Sequence, residues 1–421
     1  MIRRAAFLLV LFALAACGAP KPPAAKAPKA PAKPAATTTD DGTIPVSAPI
    51  LDIDGDNLLN LAYGASVVSR TAELNLESSA LNAIDGMSLT AWTTPPGAPE
   101  QTLVFGLGGP SRIDALGVTT IGGDRAPQKV RFEASSNGSS WREIATLEPV
   151  SRNTKLVDVK PFEARYLRVT TIEPAETYAT LASIHANGRE VRPAERFSFD
   201  GCWTINTRPA RLVQRGARIT GAVGVDRLTF VDGGMDGRVA KLMWMRGPMW
   251  GYVTATVTPD GRGLSAMTFH EEPVNGRAAE AWFGNRCDAT PNAMPALPAP
   301  IAYLRRIGHW TMSGVVFDAD EHLIDEPSRP VLDDAAALIR AMPSQRLRII
   351  AHEFHHNDPK ENRRRTEARI DAIRTALQAR GLDLSHVRFV ANGSERKDVE
   401  APSAIQRMLW SRIDLELVKN H

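Results

Sequence analysis

Phe132-Glu133-Ala134-Ser135-Ser136-Asn137-Gly138-Ser139-Ser140-Trp141 decides the fold class of the first half of this chain. Phe132 and Ala134 alternate with polar neighbours, the period of a strand with one buried face. Asn137-Gly138 then supplies a hairpin turn, since both residues tolerate the positive φ that a tight turn demands. The alternation returns in Ala164-Arg165-Tyr166-Leu167-Arg168-Val169, with Leu167 and Val169 as the inward positions. Gly, Pro and Asn punctuate this half about every ten residues, an all-β pattern. After Pro300 the pattern changes to strand, helix, strand, helix, so a separate α/β part is expected.

The chain has 421 residues, room for two or three domains. Its 43% apolar and 23% charged content are those of ordinary globular domains. A formal net charge of +3 lacks the basic excess of a nucleic-acid-binding domain, and no nucleic-acid partner is expected. After the first residues no uninterrupted apolar run reaches the ~18 residues that would suggest a membrane span.

The N-terminus has a basic start at Arg3-Arg4, an apolar middle over residues 5–16, and Leu14-Ala15-Ala16-Cys17 at its end. Those are the parts of a secretory signal. The ending resembles the lipobox of bacterial lipoproteins. That resemblance implies removal of residues 1–16 and acylation of Cys17, an anchor worth ~0.8 kcal/mol per buried methylene. Gly18, where inner-membrane lipoproteins often carry Asp, points to the outer membrane with the chain facing the periplasm. Residues 17–50, rich in Pro, Ala and Lys, read as an extended linker reaching on the order of 100 Å. With Cys17 lipidated, Cys202 and Cys287 are left as an even pair in an oxidising compartment. A disulfide there would close a loop worth roughly 4–5 kcal/mol.

Within residues 51–192 several pieces occur in order: Asn60-Leu61-Ala62-Tyr63-Gly64-Ala65, Asn82-Ala83-Ile84-Asp85-Gly86, Thr90-Ala91-Trp92, Leu103-Val104-Phe105-Gly106-Leu107-Gly108, and the two strands quoted above. Together they resemble the discoidin, or coagulation-factor C-type, family. The resemblance implies a β jelly-roll sandwich with ligands bound by loops at one end, and many bacterial relatives bind sugars. It also raises a structural calcium near the Asp-Gly and Thr-x-Trp loops, with Asp85, Ser88 and Thr90 as oxygen ligands. Ser183 stands where the family has an acidic residue. The expected loops at residues 94–99 and 122–125 carry no aromatic platform, and Trp92 and Trp141 are expected in the core. Glycan recognition and a spacer role both remain open for this domain.

Residues 196–288 read as a small antiparallel β-barrel or meander, with Trp203, Trp244, Trp250 and Trp282 as core residues. The pattern looks like small barrels found beside envelope domains and contains no catalytic set. His270-Glu271-Glu272 reads as a solvated loop. A Pro/Ala-rich linker over residues 289–302 leads to the last domain, residues 303–421.

That domain contains His352-Glu353-Phe354-His355-His356, which fits the H-E-x-x-H signature of zinc proteases. The chemistry requires both histidines on one helical turn. Here a strand-like Leu347-Arg348-Ile349-Ile350 precedes the motif, and a helix start follows it: Asp358 as N-cap, Pro359 at the first position, Glu361 after. The motif therefore falls on a strand end and loop. Gly314-Val315-Val316-Phe317-Asp318, a helix from Leu332 to Met342, the Leu347 strand, a helix from Asn362 to Gly381, Arg388–Gly393 and Ser411–Glu416 together resemble the OmpA-like family. The family is an α/β sandwich that grips the diaminopimelate of peptidoglycan, using an Asp after the central strand and an Arg on the next helix, an anion and a cation held for a zwitterion. Asn362 and Arg369 match the family's helix Asn and ligand Arg, but the ligand Asp falls on Phe354. Glu353 and Asp358 are the nearby carboxylates that would have to substitute, although a one-residue shift at a strand end turns a side chain away. The closing Asn-Arg-Arg is here Trp410-Ser411-Arg412. Arg363-Arg364-Arg365 is expected to form a solvated helix face.

These readings give a multidomain, non-enzymatic, lipid-anchored envelope protein that links the outer membrane to peptidoglycan or scaffolds envelope components. The alternative is a carbohydrate-recognition protein acting through the first domain. A third reading, a zinc hydrolase using His352, Glu353 and His356, has the weakest local support.

Overall fold

In the computed structural model, Phe132, Ala134, Leu167 and Val169 all face the interior, none more than 5% exposed. The structure describes residues 57–418 apart from 88–89, 99, 122–126, 128, 149, 152–154, 174–177, 193–197, 226–227, 271–279, 289–297 and 395–402. Cys17 and the 17–50 linker lie outside the described residues.

Residues 66–190 form a β-sandwich. Its main sheet runs Ser66–Arg70, Gln101–Thr120, Lys155–Glu173, Lys129–Ser135, Arg142–Leu147, with Ser183–Glu190 also on Gln101–Thr120. The two longest strands carry register shifts, at Gly106/Ser111 and Ile113/Ala115, which bend them around the core. Trp92 is fully buried as expected. Trp141 is not a core residue: it is half-buried beneath the Arg168 guanidinium, 4.6 Å from the ring centre.

Eight antiparallel strands from Gly201–Ile205 to Glu280–Arg286 close into a barrel, first strand against last at Trp203↔Arg286. The Cys202–Cys287 disulfide staples the seam. Trp203, Trp244 and Trp282 fill the barrel. Trp250 instead leaves the barrel core and packs on His309 of the last domain, ring centres 5.0 Å apart. Val239-Ala240-Lys241-Leu242-Met243-Trp244-Met245 carries apolar side chains on both faces, broken only by Lys241, because both faces are covered. Leu242 and Trp244 point into the barrel, while Met243 and Met245 join the core shared with its neighbours.

The last domain is a four-stranded sheet ordered His309–Thr311, Ile413–Leu417, Leu347–His352, Val387–Gly393. Four helices accompany it: α1 Pro300–Ile307, α2 Asp325–Arg340, α3 Pro359–Ala379 and α4 Ala404–Trp410. Its first strand is His309–Thr311 rather than the expected Gly314–Asp318 segment. Gly314 takes φ +96° against the barrel, and a side chain at the facing Gly234 would meet the Gly314 backbone nitrogen. The chain turns there instead of extending. Asp358 caps α3 by accepting from the Lys360 amide at 2.9 Å, and Pro359 starts the helix, as the sequence implied. Among the described residues, no helix is long and apolar enough to cross a membrane.

The three domains share one buried apolar cluster that runs from Leu59 through Met243 and Phe269 to Leu415. Polar contacts reinforce it. Ser265 and Thr256 of the barrel bond the backbone of Val67 and Ala65, and Arg238 forms a paired contact with Glu190. On the other side Trp310 donates to Asp232 at 2.9 Å and Tyr252 meets His309 at 2.9 Å.

Candidate functional site

Helix α3 presents Arg365 and Arg369 four residues apart, on one face. Above them lies the Asp318–His322 turn, in which Glu321 adopts φ 66°, a conformation uncommon outside glycine. It carries the Glu321 carboxylate back onto the helix, where one oxygen accepts from Arg365 at 2.5 Å and the other from Arg369. Glu321 is 2% exposed. Arg365 thus turns inward, while Arg363 and Arg364 stay exposed as the solvated face.

The second nitrogen of Arg369 donates to Glu353. Glu353 also accepts from the His355 amide at 2.9 Å, the His355 ring at 2.5 Å and Ser411 Oγ at 3.2 Å. It is fully buried. Burial alone would push its carboxyl up, but His355 and Arg369 outweigh burial and hold it well below the usual carboxylate range. Burial works against the Arg369 charge too, and Glu353 and Glu321 more than compensate. Asn362, 1% exposed, clamps the loop to the helix through both its amide atoms, donating to the His356 carbonyl at 2.7 Å and accepting from the His356 amide at 3.2 Å. Phe354 packs against Trp410 with ring centres 5.3 Å apart.

Part of this cluster borders a cavity of about 590 Å³. Phe317, Glu321, His355, Arg365 and Arg369 line it from one domain, Asp236 and Lys241 from the barrel.

Residues 66–185 match the F5/8 type C domain model, and residues 316–408 match the OmpA family model. The chain carries an F5/8 type C domain and an OmpA-family domain. Both are binding modules, and the OmpA domain associates the chain with the cell envelope. Among solved structures, the chain is similar to a family 32 carbohydrate-binding module of Clostridium perfringens in complex with GalNAc-beta-1,3-galactose, at 21% identity over 31% of this chain and 99% of that one, TM-score 0.28. A second likeness is the family 32 module of C. perfringens NanJ in complex with galactose, at 24% identity over 30% of this chain and 94% of that one, TM-score 0.27. A third is chitosan-binding module 1 from a chitosanase/glucanase of Paenibacillus sp. IK-5, at 18% identity over 31% of this chain and 98% of that one, TM-score 0.28. No curated protein matches the chain.

In the OmpA domain, then, the sequence-derived ligand residues come together but do not share one role. Arg369 borders the cavity with its side chain 18% exposed. Glu353 and Asn362 are buried and do not line it: Glu353 pairs with Arg369, and Asn362 bonds the His356 backbone. The H-E-x-x-H residues each have partners of their own. His352 ends a strand and bonds Asn392 at 3.2 Å, and Glu353 is held by Arg369 and Ser411. They do not figure in either set of three close metal-ligating side chains among the described residues, which are His309/Asp414/Glu416 and Asp318/Asp320/His322.

In the F5/8 domain, Asp85 is fully buried and accepts from the Met87 amide at 2.8 Å and from Thr90 Oγ1 at 2.7 Å. Burial pushes its carboxyl up to about 8. Calcium takes six or more oxygens, and Asp85 belongs to neither three-residue group among the described residues; Ser88 lies outside them.

Sequence reasoning missed Glu321, Asp236 and Lys241. Asp236-Gly237 was available as a hairpin-turn signal; which domain the hairpin would meet was not. Glu321 has no local signal, because its position depends on an unusual φ.

Proposed function

We propose that the chain is a non-enzymatic envelope protein, lipid-anchored through Cys17 in the outer membrane and facing the periplasm, that links this membrane to peptidoglycan through its OmpA domain. The observation that supports this is Arg369, held rigidly by two carboxylates at the border of a cavity large enough for an amino-acid side chain. An arginine fixed from behind offers its remaining edge to a carboxylate in a defined geometry. The F5/8 domain has a supporting role in this reading, since its Glu190 grips the barrel hairpin beside the cavity.

Cosedimentation of the full chain with purified sacculi tests the proposal. The unaltered chain is expected in the pellet, and Arg369→Ala, checked by circular dichroism to be folded, in the supernatant. Equal behaviour of the two removes the tether and leaves glycan recognition by the F5/8 domain, which a glycan array then examines. Cys17→Ala is expected to release the protein from membranes; retention there refutes the lipid anchor.

A further inference from the structure

The cavity beside Arg369 has walls from two domains, and their charges are bound differently. On the OmpA wall, Arg365 and Arg369 are tied to Glu321, which is almost wholly buried. On the barrel wall, Asp236 ends strand Thr229–Asp236 with its side chain 45% exposed, and its partner Lys241 lies 2.8 Å away. Lys241 is also held by the carbonyls of Ser411 at 2.9 Å and Met408 at 3.2 Å. Its ammonium therefore keeps two acceptors if Asp236 turns to another cation. Asp236 is close enough to His355 and Glu353 to interact with both electrostatically.

We infer that this cavity is a composite site for a zwitterionic amino-acid end group, its ammonium held by Asp236 of the barrel and its carboxylate by Arg365 and Arg369 of the OmpA domain. The ligand class rests on the wall-binding reading; the new element is that the barrel supplies the anion. Phe354 does not need to do so. The exchange is balanced: the incoming ammonium takes the place of Lys241 at Asp236, and the incoming carboxylate adds to arginines already fixed. Two residues beyond Asp236, Arg238 enters the F5/8 domain and pairs with Glu190, its side chain 3% exposed. Asp236 is thus presented by a hairpin anchored in the first domain and aimed at the third. A loop free at its tip would lose affinity to the cost of ordering it.

Calorimetry of the full chain with meso-diaminopimelate and with pimelate tests the assignment, because pimelate keeps both carboxylates and lacks both ammonium groups. The unaltered chain is expected to bind diaminopimelate at least tenfold more tightly than pimelate. Asp236→Asn is expected to abolish that preference with an unchanged thermal midpoint, and Asp236→Glu to retain most of it. A full preference in Asp236→Asn overturns the composite site. So does a chain that sediments with sacculi yet binds no free diaminopimelate, although the wall-binding reading then survives. A chain that binds neither sacculi nor diaminopimelate overturns both.

Discussion

Asp85 in the F5/8 domain and Glu353 in the OmpA domain are both fully buried carboxylates, and they are displaced in opposite directions. Burial dominates at Asp85, where hydrogen bonds from Thr90 and Met87 are too few to offset it, and the carboxyl rises to about 8. At Glu353 burial is outweighed by His355 and Arg369, and the carboxyl falls well below its usual range. Depth alone does not set the charge of a buried acid; the partner does. The consequence for stability also reverses. Asp85 binds its proton more tightly folded than unfolded, so its contribution falls as pH rises from about 4 to about 8. Glu353 binds its proton less tightly when folded, so its contribution is full above the ordinary glutamate range and is lost as pH falls below it.

The largest expected break in this contrast is Arg369→Ala, which strips Glu353 and Glu321 of their shared guanidinium. Breaking a buried ion pair costs about 3–5 kcal/mol, read by denaturant unfolding at neutral pH; a loss near zero would mean that Arg365 on Glu321 and His355 on Glu353 suffice. Next is the pH series. Between pH 5 and 7 the Asp85 effect is about 2–3 kcal/mol of lost stability, at roughly 1.4 kcal/mol per unit. Asp85→Asn should flatten that slope, and an identical slope in the variant would assign it elsewhere. Glu190→Gln, which loosens the Arg238 anchor, should cost about 1–2 kcal/mol and weaken wall binding without touching the cavity. Asp236→Asn should change stability by no more than about 0.5 kcal/mol, as for a surface substitution, and so isolates binding from folding.

Much of the architecture was legible. Alternation at Phe132/Ala134 and Leu167/Val169 located sandwich strands, and the Asp358-Pro359 start located α3 to the residue. The strand from Val239 to Met245, apolar except for Lys241, places one face in the barrel and the other against neighbouring domains, because an apolar face outside a barrel must be covered. Composition suggested linked modules, but the shared core joins them. The ligand site was legible only in part because sequence spacing places residues along an element and says little about which other domain approaches. Arg369 was found from its place on α3. Glu321 depends on a left-handed turn and Asp236 on a contact between residues far apart in the chain, so neither follows from a local pattern.

The two-walled cavity is tested most directly by amide NMR of the full chain, isotope-labelled, during titration with meso-diaminopimelate. The amides of Asp236 in the barrel and His355 in the OmpA domain are predicted to shift together, along one saturation curve. A response confined to His355, or none at either position, would contradict the account.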